Sequence, residues 1–149
     1  MIRVASEEDA ADVARLIAGF RDWQGNDRPS DEVIERTVRR LVGDPNAEFL
    51  IAGDPPEGVC QLRYRLSVWT GTEDCNLEDL FVEESARGSG LGRQLAEAAI
   101  ERARERGCAR MDLDANEANA PALALYRSLG FDSWSAAAGG HDRFMRLRL

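Results

Sequence analysis

At 149 residues, 44% apolar and 31% charged, the chain is long enough to bury roughly two-thirds of its unfolded surface, and one domain over residues 1–149 is expected. A net charge of −8 disfavours a general nucleic-acid binder, which needs basic patches; it either mildly favours cationic partners or serves solubility alone. No apolar run of about 18 residues occurs and no apolar signal core follows Met1, so a cytoplasmic protein without a membrane span is expected.

Ile2-Arg3-Val4 reads as a first strand. Ser6 offers an N-cap with Asp9 three residues on, and Val13, Leu16, Ile17 and Phe20 mark the core face of the helix that follows. The polar stretch from Arg21 to Pro29 breaks that pattern. Trp23 within it is either a cap over the core edge or one wall of an acceptor-substrate pocket. A second helix starts after Ser30, carries Ile34, Val38, Leu41 and Val42 on one face, and stops at Gly43 and Pro45. Ala47 to Ala52 reads as a strand and residues 53–58 as a hairpin loop. Val59 to Trp69 sets Cys60, Leu62, Tyr64 and Leu66 against Gln61, Arg63, Arg65 and Ser67, the alternation of a half-exposed antiparallel strand.

After a turn at Thr70 to Glu73, Asn76 to Val82 reads as a buried central strand. Strict alternation would put one of the adjacent carboxylates Glu78 and Asp79 on a buried face. A β-bulge would relieve that, and bulges gather near active sites. Arg87-Gly88-Ser89-Gly90-Leu91-Gly92 follows, and then Leu91, Leu95, Ala99 and Ala103 recur on one face of a long helix. Strand, glycine turn and helix make an anion cradle, because N–H groups point out of the first turn and the helix dipole adds positive charge there. A phosphate or pyrophosphate ligand is the expectation. The loop is not a Walker A sequence, since no Gly-Lys-Ser/Thr follows, and it lies past mid-chain without the G-x-G-x-x-G of a dinucleotide fold.

Gly107 closes that helix, and Ala109 to Asp114 reads as another strand. Asn119 is placed to cap a helix from Ala122 to Leu129, with a stop at Gly130 and Phe131 behind it. Phe131 to Ala138 and Arg143 to Leu149 read as final strands around Gly139-Gly140, giving the order β-α-α-β-β-β-α-β-α-β-β. Cys60, Cys75 and Cys108 lack C-x-x-C spacing, so buried free thiols are expected. The single histidine, His141, builds no His-rich metal site and reads as ordinary turn surface.

Two of these stretches resemble one family. Arg87-x-x-Gly90-x-Gly92 is similar to the R/Q-x-x-G-x-G/A coenzyme A pyrophosphate loop of the GNAT superfamily of acyl-CoA N-acyltransferases. Asn119-x-x-Ala122-x-x-Leu125-Tyr126-x-x-x-Gly130-Phe131 resembles the N-x-x-A-x-x-L-Y-x-x-x-G-F signature of its last long helix. Leu77 to Val82 resembles the central strand of diamine and polyamine acetyltransferases, although the same wording recurs in members acting on antibiotics, amino acids and protein N-termini. The resemblance implies an α/β (α+β) fold, with a mixed, mostly antiparallel sheet of about seven strands, splayed at its centre and flanked by about four helices. It also implies acetyl-CoA as cosubstrate, no metal, and a homodimer.

Residue by residue, the resemblance implies that backbone amides of Arg87, Gly88, Ser89, Gly90, Leu91, Gly92 and Arg93 hold the pyrophosphate. Main-chain groups of Leu80, Phe81 and Val82 would bond the pantetheine arm as an added strand does, with Asn119 touching it from the other side. Tyr126 matches the family acid that protonates the departing thiolate, its alternative being an aromatic packed in the core. An amine acceptor must lose a proton before it attacks, and Glu78, directly or through water, is the candidate base. Asp79 is the alternative, and an ordinary sheet carboxylate is the reading without function. A main-chain N–H near Leu80 or Phe81 would serve the oxyanion. Trp23, Glu78 and Asp79 are the candidate acceptor contacts, and the central-strand resemblance, taken with the acidic chain, implies a small cationic amine. A non-catalytic acyl-CoA-binding sensor is the second reading. An interaction domain without a ligand leaves the glycine loop unexplained.

Overall fold

The computed structural model describes all 149 residues, which fall into two compact units, Met1–Leu113 and Asp114–Leu149. The first unit holds a sheet in the order β1-β2-β3-β4-β5, formed by Ile2–Val4, Ala47–Gly53, Pro56–Leu66, Glu73–Val82 and Met111–Asp112. Every pairing is antiparallel except that of β4 with β5. The last strand covers two residues of the six read as strand.

Helices cover both faces. On one lie α1 (Ala10–Trp23) and α2 (Asp31–Val42), whose Val13, Leu16, Ile34 and Val38 meet Phe49, Ile51, Val59 and Phe81 in a single core. Gly19 lets α1 come close to β4, since a Cβ there would stand 3.1 Å from the Phe81 ring. Gly58, adjacent to Val59 and so facing the opposite way, meets Leu91 and Leu95 of α3 (Leu91–Glu105). Leu16, Phe49, Leu50, Ile51, Leu62 and Leu95 are fully buried, each contributing about 1.5–3 kcal/mol.

The helix boundaries follow their end signals. Ser30 Oγ accepts from the Val33 N–H at 3.3 Å, and Gly43 is the C-cap of α2. The Asp9 carboxylate accepts the Ser6 N–H at 2.8 Å and two Arg3 guanidinium bonds at 2.6 and 2.7 Å, tying β1 to the entry of α1. Covering helices correct the reading of β3 as half-exposed: Gln61 is buried along with its neighbours, whereas Leu66, ending the strand at the open side of the hairpin, is 79% exposed.

In the second unit Asn119 Oδ1 caps α4 (Ala120–Ser128) through the Ala122 N–H, and Gly130, at φ +96°, ends it while the Phe131 N–H returns to the Tyr126 carbonyl. The long final strands are corrected. Only Trp134–Ser135 (β6) and Gly140–His141 (β7) pair, as a separate two-stranded ladder, and residues 143–149 are exposed without strand pairing. A strand persists where a neighbour takes its N–H and C=O groups, and here the ladder supplies two positions. His141 consequently sits in β7, with Nδ1 2.8 Å from Ser133 Oγ, and not in the turn. No helix is long and apolar enough to cross a membrane.

Candidate active site

Strand β4 is paired with β3 along its length but with β5 only at Cys75 and Asn76. From Leu77 to Val82 the β5-side edge therefore has no ladder partner, which is the splay that the family resemblance implied. The bulge is also where the paired carboxylates put it. Gln61 faces Asp79 and Leu62 faces Leu77, so Glu78 is the extra residue. Glu78 is exposed, and its Oε2 lies 3.9 Å from Arg63 Nη1.

A hollow of about 350 Å³ opens beside it, lined by Arg63, Tyr64, Arg65, Asn76 and Glu78. Arg65 donates to Asp112 at 2.8 Å, and Asn76 Nδ2 donates to the other Asp112 oxygen at 2.6 Å. Sequence reasoning placed Arg63 and Arg65 only on a polar strand face. Two arginines at i and i+2, on the strand preceding the one with the paired carboxylates, were the signal available for finding them.

The glycine loop lies between β4 and α3. Gly88 and Gly90 take φ of +78° and +85°, and Gly90 is the N-cap of α3 in the left-handed region where side chains are strained. No side chain caps α3, its first turn holds no acidic residue, and Arg93 occupies that turn against the dipole's preference. A Cβ at Gly88 would meet nothing within 4 Å. Uncapped N–H groups, an open approach and a basic first turn fit the pyrophosphate of an acyl-CoA.

Arg87 closes one side of this region. Its Nε donates to the Val82 carbonyl at 3.0 Å, and its guanidinium stands 5.3 Å from the Trp23 ring centre and 5.6 Å from that of Phe81. Trp23 stacks on Phe20, which stacks on Phe81. Half exposed, Trp23 both extends the core edge and meets the residue that opens the glycine loop.

In the second unit the buried Tyr126 packs edge-on against Phe131, with ring centres 5.9 Å apart. All three cysteines are free thiols. Desolvation, with smaller repulsion from Cys108 and nearby carboxylates, pushes the Cys75 thiol up to about 12, so it stays protonated at neutral pH and is no nucleophile. Burial likewise raises Cys60.

The family model for the acetyltransferase (GNAT) family matches residues 11–131. The chain belongs to the GNAT acetyltransferase family. It is an enzyme of the N-acetyltransferase class, in agreement with its relatives. A thialysine N-epsilon-acetyltransferase of Bos taurus is 32% identical, the alignment covering 95% of this chain and 89% of the relative. An aminoglycoside N(6′)-acetyltransferase of Stenotrophomonas maltophilia is also 32% identical, over 88% and 85% of the two chains. Among solved structures, an acetyltransferase-like protein of Arthrobacter sp. FB24 superposes with a TM-score of 0.88 at 27% identity, covering 100% of this chain and 95% of that one. GNAT membership accounts for the shared fold.

Proposed function

We propose that this acetyltransferase, as one domain over residues 1–149, moves an acetyl group from acetyl-CoA to a primary amine by direct attack. The observation that carries the reading is the open edge of β4 from Leu77 to Val82, running from the bulged Glu78 to the uncapped glycine loop. The names of the relatives, acting on thialysine and on an aminoglycoside, support an amine acceptor. The net charge of −8 supports one that arrives as a small cation.

Bound acetyl-CoA supplies an activated thioester carbonyl. Around it, backbone N–H groups from Arg87 to Arg93 hold the pyrophosphate, and main-chain groups of Leu80, Phe81 and Val82 bond the arm as an added strand would. A β4 N–H near Leu80 or Phe81 donates to the oxygen that gains charge. Glu78, or in its place Asp79, takes the proton that the ammonium must lose, directly or through water. Trp23 flanks the acceptor. The motif that contains Asn119 and Tyr126 supports roles for Asn119 as a contact to the arm and for Tyr126 as the donor of a proton to the departing sulfur.

Free thiols at all three cysteines support a reducing, cytoplasmic setting. A homodimer belongs to the reading as well, supported by the exposed apolar side chains of Phe144, Met145, Leu147 and Leu149 that a second copy would cover. Light scattering tests that part. The activity is tested by coenzyme A release over a panel of diamines, amino acids and aminoglycosides. Acetylated amine in any class supports the enzyme; acetyl-CoA binding without turnover on the whole panel favours the sensor reading.

A further inference from the structure

Arg87 opens the glycine loop with its charge already held in place. Its Nε donates to the Val82 carbonyl at 3.0 Å, and Val82 is the last residue of β4. The guanidinium is thus pinned where the open strand edge ends and the loop begins, the junction of the proposed arm and pyrophosphate sites. Trp23 and Phe81 flank it with ring centres at 5.3 and 5.6 Å, inside the roughly 6 Å reach of a cation–π contact. The nearby carboxylate of Glu83 pairs with Arg15 instead, and no carboxylate pairs with Arg87. Aromatic faces attract a guanidinium without neutralising it or occupying its N–H donors. Of the two rings, Phe81 is buried in the core, whereas Trp23 is half exposed at the end of α1 and reaches Phe81 through Phe20.

We propose that Trp23 is a positioning residue for acyl-CoA, its ring holding the Arg87 guanidinium at that junction to meet the anionic ligand. This rests on the proposed acyl-CoA site and adds to it a residue of α1, outside the strand, loop and helix that form the cradle. An unheld arginine side chain gives up much of its rotamer freedom on meeting an anion. The Val82 bond and the two rings take most of that loss before the ligand arrives. An anion docking on the guanidinium also expels water from it, and a desolvated cation–π contact is the stronger one. Cofactor binding therefore tightens the contact with Trp23 in return. The same indole that flanks the acceptor is then fixed when acyl-CoA is in place, so the acceptor meets a wall that is already ordered.

A double-mutant cycle read by calorimetric titration of coenzyme A into the full chain tests whether Trp23 acts through Arg87. Trp23→Leu should weaken coenzyme A binding by about 5–30-fold in the parent, and by less than about twofold in the Arg87→Met background. Trp23→Phe keeps an aromatic face and should stay within about threefold of the parent. An equal loss from Trp23→Leu in both backgrounds, no loss in the parent, or a Trp23→Phe loss as large as that of Trp23→Leu would overturn the inference. Fluorine NMR of the fluorotryptophan-labelled chain gives a second reading with α1 intact. The Trp23 resonance, assigned by its absence in Trp23→Phe, should shift when coenzyme A saturates the parent and stay nearly still in saturated Arg87→Met. An equal shift in both would overturn the inference as well. Any of these contrary results, with coenzyme A still bound by the parent, leaves the acyl-CoA site standing. A parent that binds no coenzyme A overturns the site itself and this inference with it.

Discussion

Glu78 Oε2 lies 3.9 Å from Arg63 Nη1, and the two residues belong to a ladder that skips one of them: Leu77 faces Leu62, Asp79 faces Gln61, and Glu78 faces nothing. The bulge frees the Glu78 carboxylate from regular cross-strand pairing while holding its backbone at the open edge of β4. That combination suits a group that must meet an incoming ammonium and then let it go. Glu78→Gln keeps the size of the side chain and removes its ability to take a proton. It should lower kcat by about 100-fold or more without changing acetyl-CoA affinity. Steady-state kinetics beside calorimetry checks both halves, and an unchanged kcat passes the base role to Asp79 or water.

Gly90→Ala places a side chain at φ +85°, on the N-cap residue whose neighbouring N–H groups form the proposed anion cradle. The strain costs about 1–2 kcal/mol, and the methyl group narrows the approach to those donors. Acetyl-CoA affinity should fall at least about tenfold while the chain stays folded at room temperature. Isothermal titration beside circular dichroism would show it.

Tyr126→Phe removes one hydroxyl from the buried ring that packs against Phe131. If that hydroxyl protonates the departing sulfur, acetyl transfer should drop at least about tenfold with acetyl-CoA binding unchanged. Full activity in this variant would leave Tyr126 as a packing residue.

The Asp9 carboxyl is held well below the usual carboxylate range, first by the forked bonds from Arg3 and then by the Ser6 N–H. A depressed pKa in the fold contributes stability that is complete above the unfolded value and is lost as pH falls through the folded one. Asp9→Asn should therefore melt lower than the parent at pH 7, with the gap narrowing below about pH 4. Melting temperatures recorded down an acid series check the sign.

Much of this fold was legible because its signals are local. Ser30 and Gly43 bound α2, Asn119 and Gly130 bound α4, and the impossible alternation at Glu78-Asp79 announced the bulge. What was not legible depends on partners far along the chain. Alternation in β3 gives its faces but not their covering, so the pattern sets Gln61 on the exposed face whereas the fold buries it. The segment 143–149 has the pattern of a strand and lacks one, because pattern supplies a face and only a neighbouring strand supplies the hydrogen bonds. Trp23 had two readings, and the stack from Phe81 through Phe20 gives it a place at the core edge with Arg87 over its ring.

The central claim, that the glycine loop and the open edge of β4 form an acyl-CoA site, is tested most directly by thermal melting with and without acetyl-CoA. At 100–1,000 times a micromolar dissociation constant, binding to the folded state alone should stabilise the chain by about 3–4 kcal/mol, a rise of several degrees. An unchanged melting temperature at those concentrations would contradict the site and the chemistry built on it.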